Sequence, residues 1–317
     1  MTNDEGRSHR SVGRTVVRSV GELLVTLGLV LLLLVVYELF VTDLFGNRKQ
    51  AAATEVLDER WAAAGTAEVM VSAPPVGTTA GSSAGSSGGS SAGSSGASRA
   101  SQAPGAVPNP SRQQTDPAKR TKKYSTELGQ GFAKLYIPTF GADFARTVIE
   151  GTSVDDLYTG PGHYSDSQFP GQPGNFAIAG HRVTKGAPFN DLDLLKSCDA
   201  LVVETQDDWF IYRMLPTQEK VANWNPAKHP HCQGVSAQTG AYAGVFGRTI
   251  VQPEDGNEVF GVPGSSSSAL PARAERLITL TTCHPQFSDA QRMVIHGVLV
   301  RSYAKAAGFL PPELGES

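Results

Sequence analysis

One stretch divides this chain before any other feature is weighed. Leu23 to Val41 reads LLVTLGLVLLLLVVYELFV, nineteen residues with Glu38 as the only charged one. At 1.5 Å per helical residue it reaches about 28 Å, close to the ~30 Å hydrocarbon core of a bilayer. A helix apolar on every side has no place on the surface of a soluble globule. The run predicts a membrane-spanning helix over 22–42, with Tyr37 and Glu38 near one interface. The preceding tail, 1–21, carries Arg7, Arg10, Arg14 and Arg18 against Asp4 and Glu5, which predicts a cytoplasmic N-terminus and an extracellular bulk. Arg48 and Lys49 on the far side weaken that asymmetry without reversing it. A cleaved signal peptide would have a shorter apolar region, about 7–15 residues, ending at a small-residue site. YELFVTDLFG offers none, so a single-pass membrane anchor is expected.

Composition then shifts twice. Residues 43–70 are rich in helix formers and predict a juxtamembrane helix. Residues 71–126 are rich in Gly, Ser and Pro and poor in large apolar side chains, as in TTAGSSAGSSGGSSAGSSGASRASQ, and predict a flexible, disordered linker. As a flexible coil, some 50 such residues span on the order of 40 Å, a tether on which a domain could search the space above the bilayer. The folded part is expected over 127–306, followed by a polar tail, 307–317. A net charge of -3 gives no basic face for nucleic acid.

Within 127–306, eight β-rich runs alternate with turn signals: FAKLYIP, ARTVIEG, NFAIAGH, ALVVET, DWFIYRML, GRTIVQP, RLITLTTC and QRMVIHGVLV. Helical periodicity is brief, in SVDDLY and PFNDLDLL. This pattern predicts an all-β fold with short helices, and closure into a barrel would remove the exposed edges.

The strongest chemical signal is LITLTTC, where a β-branched run stops on Cys283 ahead of His284 and Pro285. Proline cannot continue a central ladder, so the thiol stands at the strand's exit. The next run opens on Arg292, which could return near the thiol, favour its thiolate and stabilise an oxyanion. His181, ending NFAIAGH, is the candidate acid and base. His163 in GPGHY competes with it from a Gly/Pro turn. His284 and His296 lie near the motif, His284 as a rim residue, and Arg182 and Arg301 read as surface charges. HPHC at 229–232 lacks a fourth ligand, so no metal or other cofactor is expected. Three cysteines are too few for a disulfide scaffold, and at least one is free.

GNFAIAGHR and TLTTCHPQFSDAQR together resemble the sortase family, whose pattern is TLxTC followed by an arginine. YIPTFGADFARTVIEGTSVDDLYTGPGHY adds a resemblance to class E sortases of high-GC Gram-positive bacteria. The resemblance implies a closed eight-stranded sortase-type β-barrel and a ping-pong transpeptidation. Cys283 would cleave an LAXTG- or LPXTG-like sorting signal of a secreted protein between Thr and Gly. The thioacyl intermediate would pass to a cell-wall precursor amine. His181 would be acid then base, Arg292 would stabilise the tetrahedral intermediates, and Thr281 and Thr282 would support the substrate or Arg292. A sortase-fold peptidase that hydrolyses, or a non-catalytic extracellular β-barrel module, are the alternatives. Residues 216–246 look like an insertion in the family's shorter connection and are expected as a surface loop, with Cys232 paired to Cys198 and Cys283 left free.

Overall fold

The computed structural model describes residues 5–72, 126–267 and 269–316. Residues 73–125, most of the expected linker, lie outside the described residues. The chain opens with α1 (Glu5–Val36), passes through a π-helical turn (Tyr37–Val41) and runs on as α2 (Thr42–Ser72). Val16–Val36 is long and apolar enough to cross a membrane, with mean hydropathy 2.5 and no part of it buried against the other described residues. An apolar helix with nothing packed on it is consistent with a single-pass anchor.

Among the described residues nine strands follow: β1 (Gly131–Tyr136), β2 (Ala145–Glu150), β3 (Gly162–His163), β4 (Gly174–Ala179), β5 (Ala200–Glu204), β6 (Asp208–Met214), β7 (Arg248–Val251), β8 (Arg276–His284) and β9 (Gln291–Ala304). They run β6-β5-β1-β2-β3-β4-β8-β9, and β6 pairs again with β9, so eight strands close into the expected barrel. The long β9 makes closure possible. One edge of it pairs with β8, while the other pairs first with β7 and then, past Gly297, with β6. β7 is thus a flap outside the eight-strand ring. Most pairs are antiparallel, but β2–β3 and β4–β8 are parallel.

The core follows the alternation read from the sequence. Ala133, Leu135 and Ile137 point inward with Ile178, Leu201, Tyr212, Ile278, Leu280 and Ile295. Each fully buried aliphatic side chain contributes about 1.5–3 kcal/mol. A β-bulge between Gly131 and Ala133 also turns Phe132 inward, against Phe169 and Phe176. Between β2 and β3, α3 (Val154–Thr159) begins on a capping box of Ser153 and Asp156. A four-residue helix, α4 (Gln218–Val221), follows β6.

The 216–246 segment departs from the surface loop expected of it. Cys232, Val235, Tyr242 and Val245 are buried with Leu215, Val262, Leu277 and Val298, forming a second small core outside the barrel wall. A disulfide joins Cys232 to Cys198 just before β5, with S–S 2.02 Å and Cα–Cα 5.0 Å. At the other end of the chain, Glu316 receives a bidentate pair from Arg213, 2.8 Å on each oxygen.

Candidate active site

Three adjoining strands, β4, β8 and β9, build the site. Along β8 the side chains alternate: Ile278, Leu280 and Thr282 face the barrel interior, and Thr279, Thr281 and Cys283 the outside. The antiparallel register sets Cys283 directly opposite Arg292 on β9. Side chains of such a pair share a face with Cβ atoms about 5 Å apart. The Arg292 guanidinium donates from Nη1 to the carbonyls of Asp289 (2.8 Å) and Gln291 (3.0 Å), and Nε and Nη2 take no part in these bonds. Cys283 is half-buried and is the free thiol of the three cysteines.

His181 comes from the other side. β4 runs parallel to β8 with Ala179 level with Thr281, so the register carried two residues further sets position 181 level with position 283. Two hydrogen bonds extend that pairing past the end of β4. Gly180 N donates to Thr281 O (3.0 Å), and Thr282 Oγ1 donates back to Gly180 O (2.7 Å). Gly180 has to be glycine here, because a Cβ would stand 2.5 Å from the Phe189 ring. His181 Nε2 is buried without a protein hydrogen-bond partner. Burial first, and then the Lys185 ammonium, hold the imidazole pKa below its usual 6.5. A neutral imidazole can accept a thiol proton.

The two threonines have separate duties. Thr282 is the strap on Gly180. Thr281 lies 3.0 Å, hydroxyl to hydroxyl, from Tyr164 and faces the Ile178 carbonyl at 3.5 Å. Neither hydrogen-bonds Arg292. One turn of the pleat deeper, Thr279 Oγ1 donates to Asn175 Oδ1 (2.7 Å) and lies 2.8 Å from His296 Nδ1. The His296 ring reaches Glu258 Oε2 at 3.2 Å, and Asn175 Nδ2 donates to the carbonyls of Glu258 and Phe260. This buried chain pins the 256–260 turn over the outer face of β8.

His163 is fully buried between Glu150 (2.7 Å), Ser167 (3.0 Å) and the Gln168 carbonyl (3.2 Å), which makes it a structural pin between β3 and its neighbours. Arg182 corrects the sequence expectation of a surface charge. It is only 5% exposed, pairs with Asp193 at 3.0 Å and lies 3.1 Å from His284 Nδ1. Its partners lie 11 and 102 positions away, so no local pattern reveals its burial. Arg301 is exposed, as expected. Tyr164 was also missed, although it directly follows the GPGH turn. Of the HPHC residues, Cys232 is used by the disulfide and His231 lies 3.2 Å from Glu316. A cleft of about 600 Å³ beside that disulfide, flanked by Trp224 and Lys228, includes none of Cys283, His181 and Arg292.

A model of the family described as "Sortase domain" matches residues 135–300. Sortase SrtE1 of Streptomyces coelicolor is 27% identical over 308 residues, covering 94% of this chain and 62% of that protein. Sortase SrtE2 of the same organism is 27% identical over 317 residues, covering 97% and 92%. The solved structure of the SrtF sortase from Corynebacterium diphtheriae is 40% identical with a TM-score of 0.55, covering 66% of this chain and 98% of that one. This chain thus spans under two thirds of the first Streptomyces relative and nearly all of the other two proteins. The resemblance to class E read from the sequence is borne out by the two Streptomyces relatives. With its family match spanning more than half its length, the chain belongs to the sortase family.

Proposed function

We propose that this sortase is a single-pass membrane enzyme, N-terminus cytoplasmic and barrel extracellular, that transfers secreted proteins from a C-terminal sorting signal to a cell-wall amine. One arrangement supports the reading. Cys283 ends β8, Arg292 stands opposite it on β9, and His181 follows the end of β4 on the other flank. The reaction needs a nucleophile, a proton carrier and a cation at the developing oxyanion. In the first half, the Cys283 thiol passes its proton to neutral His181 as sulfur attacks the Thr carbonyl of an LAXTG- or LPXTG-like motif. Arg292 stabilises the tetrahedral oxyanion. Collapse breaks the Thr–Gly bond, and the imidazolium returns its proton to the departing Gly amine. In the second half, an incoming amine attacks the thioacyl carbon and loses a proton to His181. The new amide leaves, and the protonated imidazole restores the thiol.

Incubating the full chain in detergent with LAXTG and LPXTG peptides, with and without an amine acceptor, tests this. The expected result is a thioacyl adduct on Cys283 and a product joined to the acceptor, both abolished in Cys283→Ala. Absence of adduct and turnover on either peptide, with Cys283→Ala indistinguishable, would sink the enzyme reading for these signals. Hydrolysis that no amine diverts would replace transfer by peptidase activity.

A further inference from the structure

The expected tether leaves the membrane helix and the barrel free of one another, but α2 lies against the barrel. Its contact residues include Asp43, Gly46, Gln50, Thr54, Leu57 and Arg60, a 3-4 spacing that puts these six on one helical face. Leu57 is fully buried and Gln50 nearly so. Thr54 Oγ1 lies 2.7 Å from Thr147 Oγ1 of β2, and Asp58 pairs with Lys134 of β1 at 2.5 Å. Arg60 donates to the Gln130 side chain (2.9 Å) and to the Gly131 carbonyl. Trp61 takes the Lys305 ammonium on its ring face at 4.3 Å.

The first turn of α2 reaches the loop that follows His181. Asp43 Oδ1 accepts from Gly186 N at 2.9 Å. Gly46 is buried so tightly on the same loop that a Cβ would stand 2.4 Å from the Lys185 carbonyl carbon and 2.7 Å from Gly186 N. That loop leaves His181 directly. Its tip is an unusual run: Thr184, Lys185, Gly186 and Ala187 have φ of 60, 53, 81 and 34 degrees. Three of the four are not glycine, and left-handed backbone of that kind persists only where its surroundings over-determine it. The base of the loop is closed on itself, through Phe189 N on His181 O and Asn190 Nδ2 on Arg182 O. The tip carries its own turn, Ala187 N on Thr184 O (2.9 Å), and is held from outside by α2 and α3. Lys185 lies 5.7 Å from the Tyr158 ring, which also takes Lys49 of α2 at 4.1 Å.

We propose that α2 is a strut that docks the barrel onto its own membrane anchor, with Asp43 and Gly46 as positioning residues that fix the 184–187 loop and, through it, His181. Asp43 is two residues past Val41, the last residue of the apolar run, and seven past Val36, so it lies within about 10 Å of the end of the span along a helix. The strut therefore sets the His181 loop close to the bilayer surface, and the 73–125 segment does not set the reach of the site. The docking stands on contacts alone. Its effect on turnover rests on the role given to His181 above.

Hydrogen–deuterium exchange and peptide turnover on the full chain in nanodiscs test both parts, with Asp43→Ala, Asp43→Asn and Gly46→Ala. Asp43→Ala and Gly46→Ala should speed exchange across 182–188, which contains the Gly186 amide. Both should lower kcat by about two- to tenfold, the worth of one hydrogen bond, while KM changes less than twofold. Asp43→Asn keeps an oxygen acceptor and should restore both readouts. Exchange across 182–188 that is the same in Asp43→Ala, Gly46→Ala and the parent overturns the strut. So does a loss of turnover in Asp43→Ala that Asp43→Asn does not restore. A parent chain inert on every peptide counts against the proposed function, and exchange alone then decides the strut.

Discussion

Removal of the Cys198–Cys232 bond is the perturbation whose size the structure sets most directly. The bridge closes a loop of sequence separation 34. The chain-entropy relation, -2.1 - 1.5R ln n with n of 34, gives about 12.6 cal/mol/K, or roughly 3.8 kcal/mol at 25 °C. For a folded part of this size each kcal/mol moves Tm by about 2–4 °C, so Cys232→Ala should lower it by roughly 8–15 °C. The closed segment supplies Val235, Tyr242 and Val245 to the small core outside the barrel. Those contacts do not depend on the S–S bond itself, so the loss is expected mainly from the unfolded chain. Calorimetry of the full chain with and without a reductant, beside Cys232→Ala and the Cys198→Ala, Cys232→Ala double variant, measures it. The double variant should match the reduced parent within about 1 kcal/mol, since both lack the same cross-link. Peptide turnover below the transition should survive, because Cys283 lies on β8 and takes no part in the bridge. A parent whose Tm ignores reductant although both thiols become alkylated would refute the entropy argument.

Two further outcomes bear on the site. Because burial and Lys185 depress the His181 pKa, protonation removes the proton acceptor only below 6.5. The acid limb of kcat/KM against pH should lie below that value, and Lys185→Met should move it upward by relieving one of the two causes. A limb that stays put or moves down in the Lys185→Met variant contradicts the assignment. Arg292→Ala should cost about 10²–10³ in kcat, the usual effect of losing an oxyanion donor. Steady-state kinetics showing less than a fivefold loss would remove Arg292 from that role.

How far the sequence foretells this molecule depends on the range of each interaction. Every one of the eight β-rich runs contains a strand, because alternation and turn residues are local properties. β3 escaped because its two residues, Gly162 and His163, are too few to carry a period. The parallel β4–β8 pairing also left no local trace, yet it carries the His181 flank to Cys283. The α2 interface was hidden for a chemical reason. Asp43, Gly46, Gln50, Thr54 and Arg60 are polar or small, so a search for apolar periodicity passes over a stripe that is regular in position. Such an interface is assembled from individual hydrogen bonds, an ion pair and one buried leucine rather than from an apolar seam. Contacts of that kind fix register strongly and contribute modestly to stability, since each is exchanged against water. That suits an element whose task is to hold a loop in place, and it makes Leu57, the fully buried apolar residue of the stripe, its main source of affinity for the barrel.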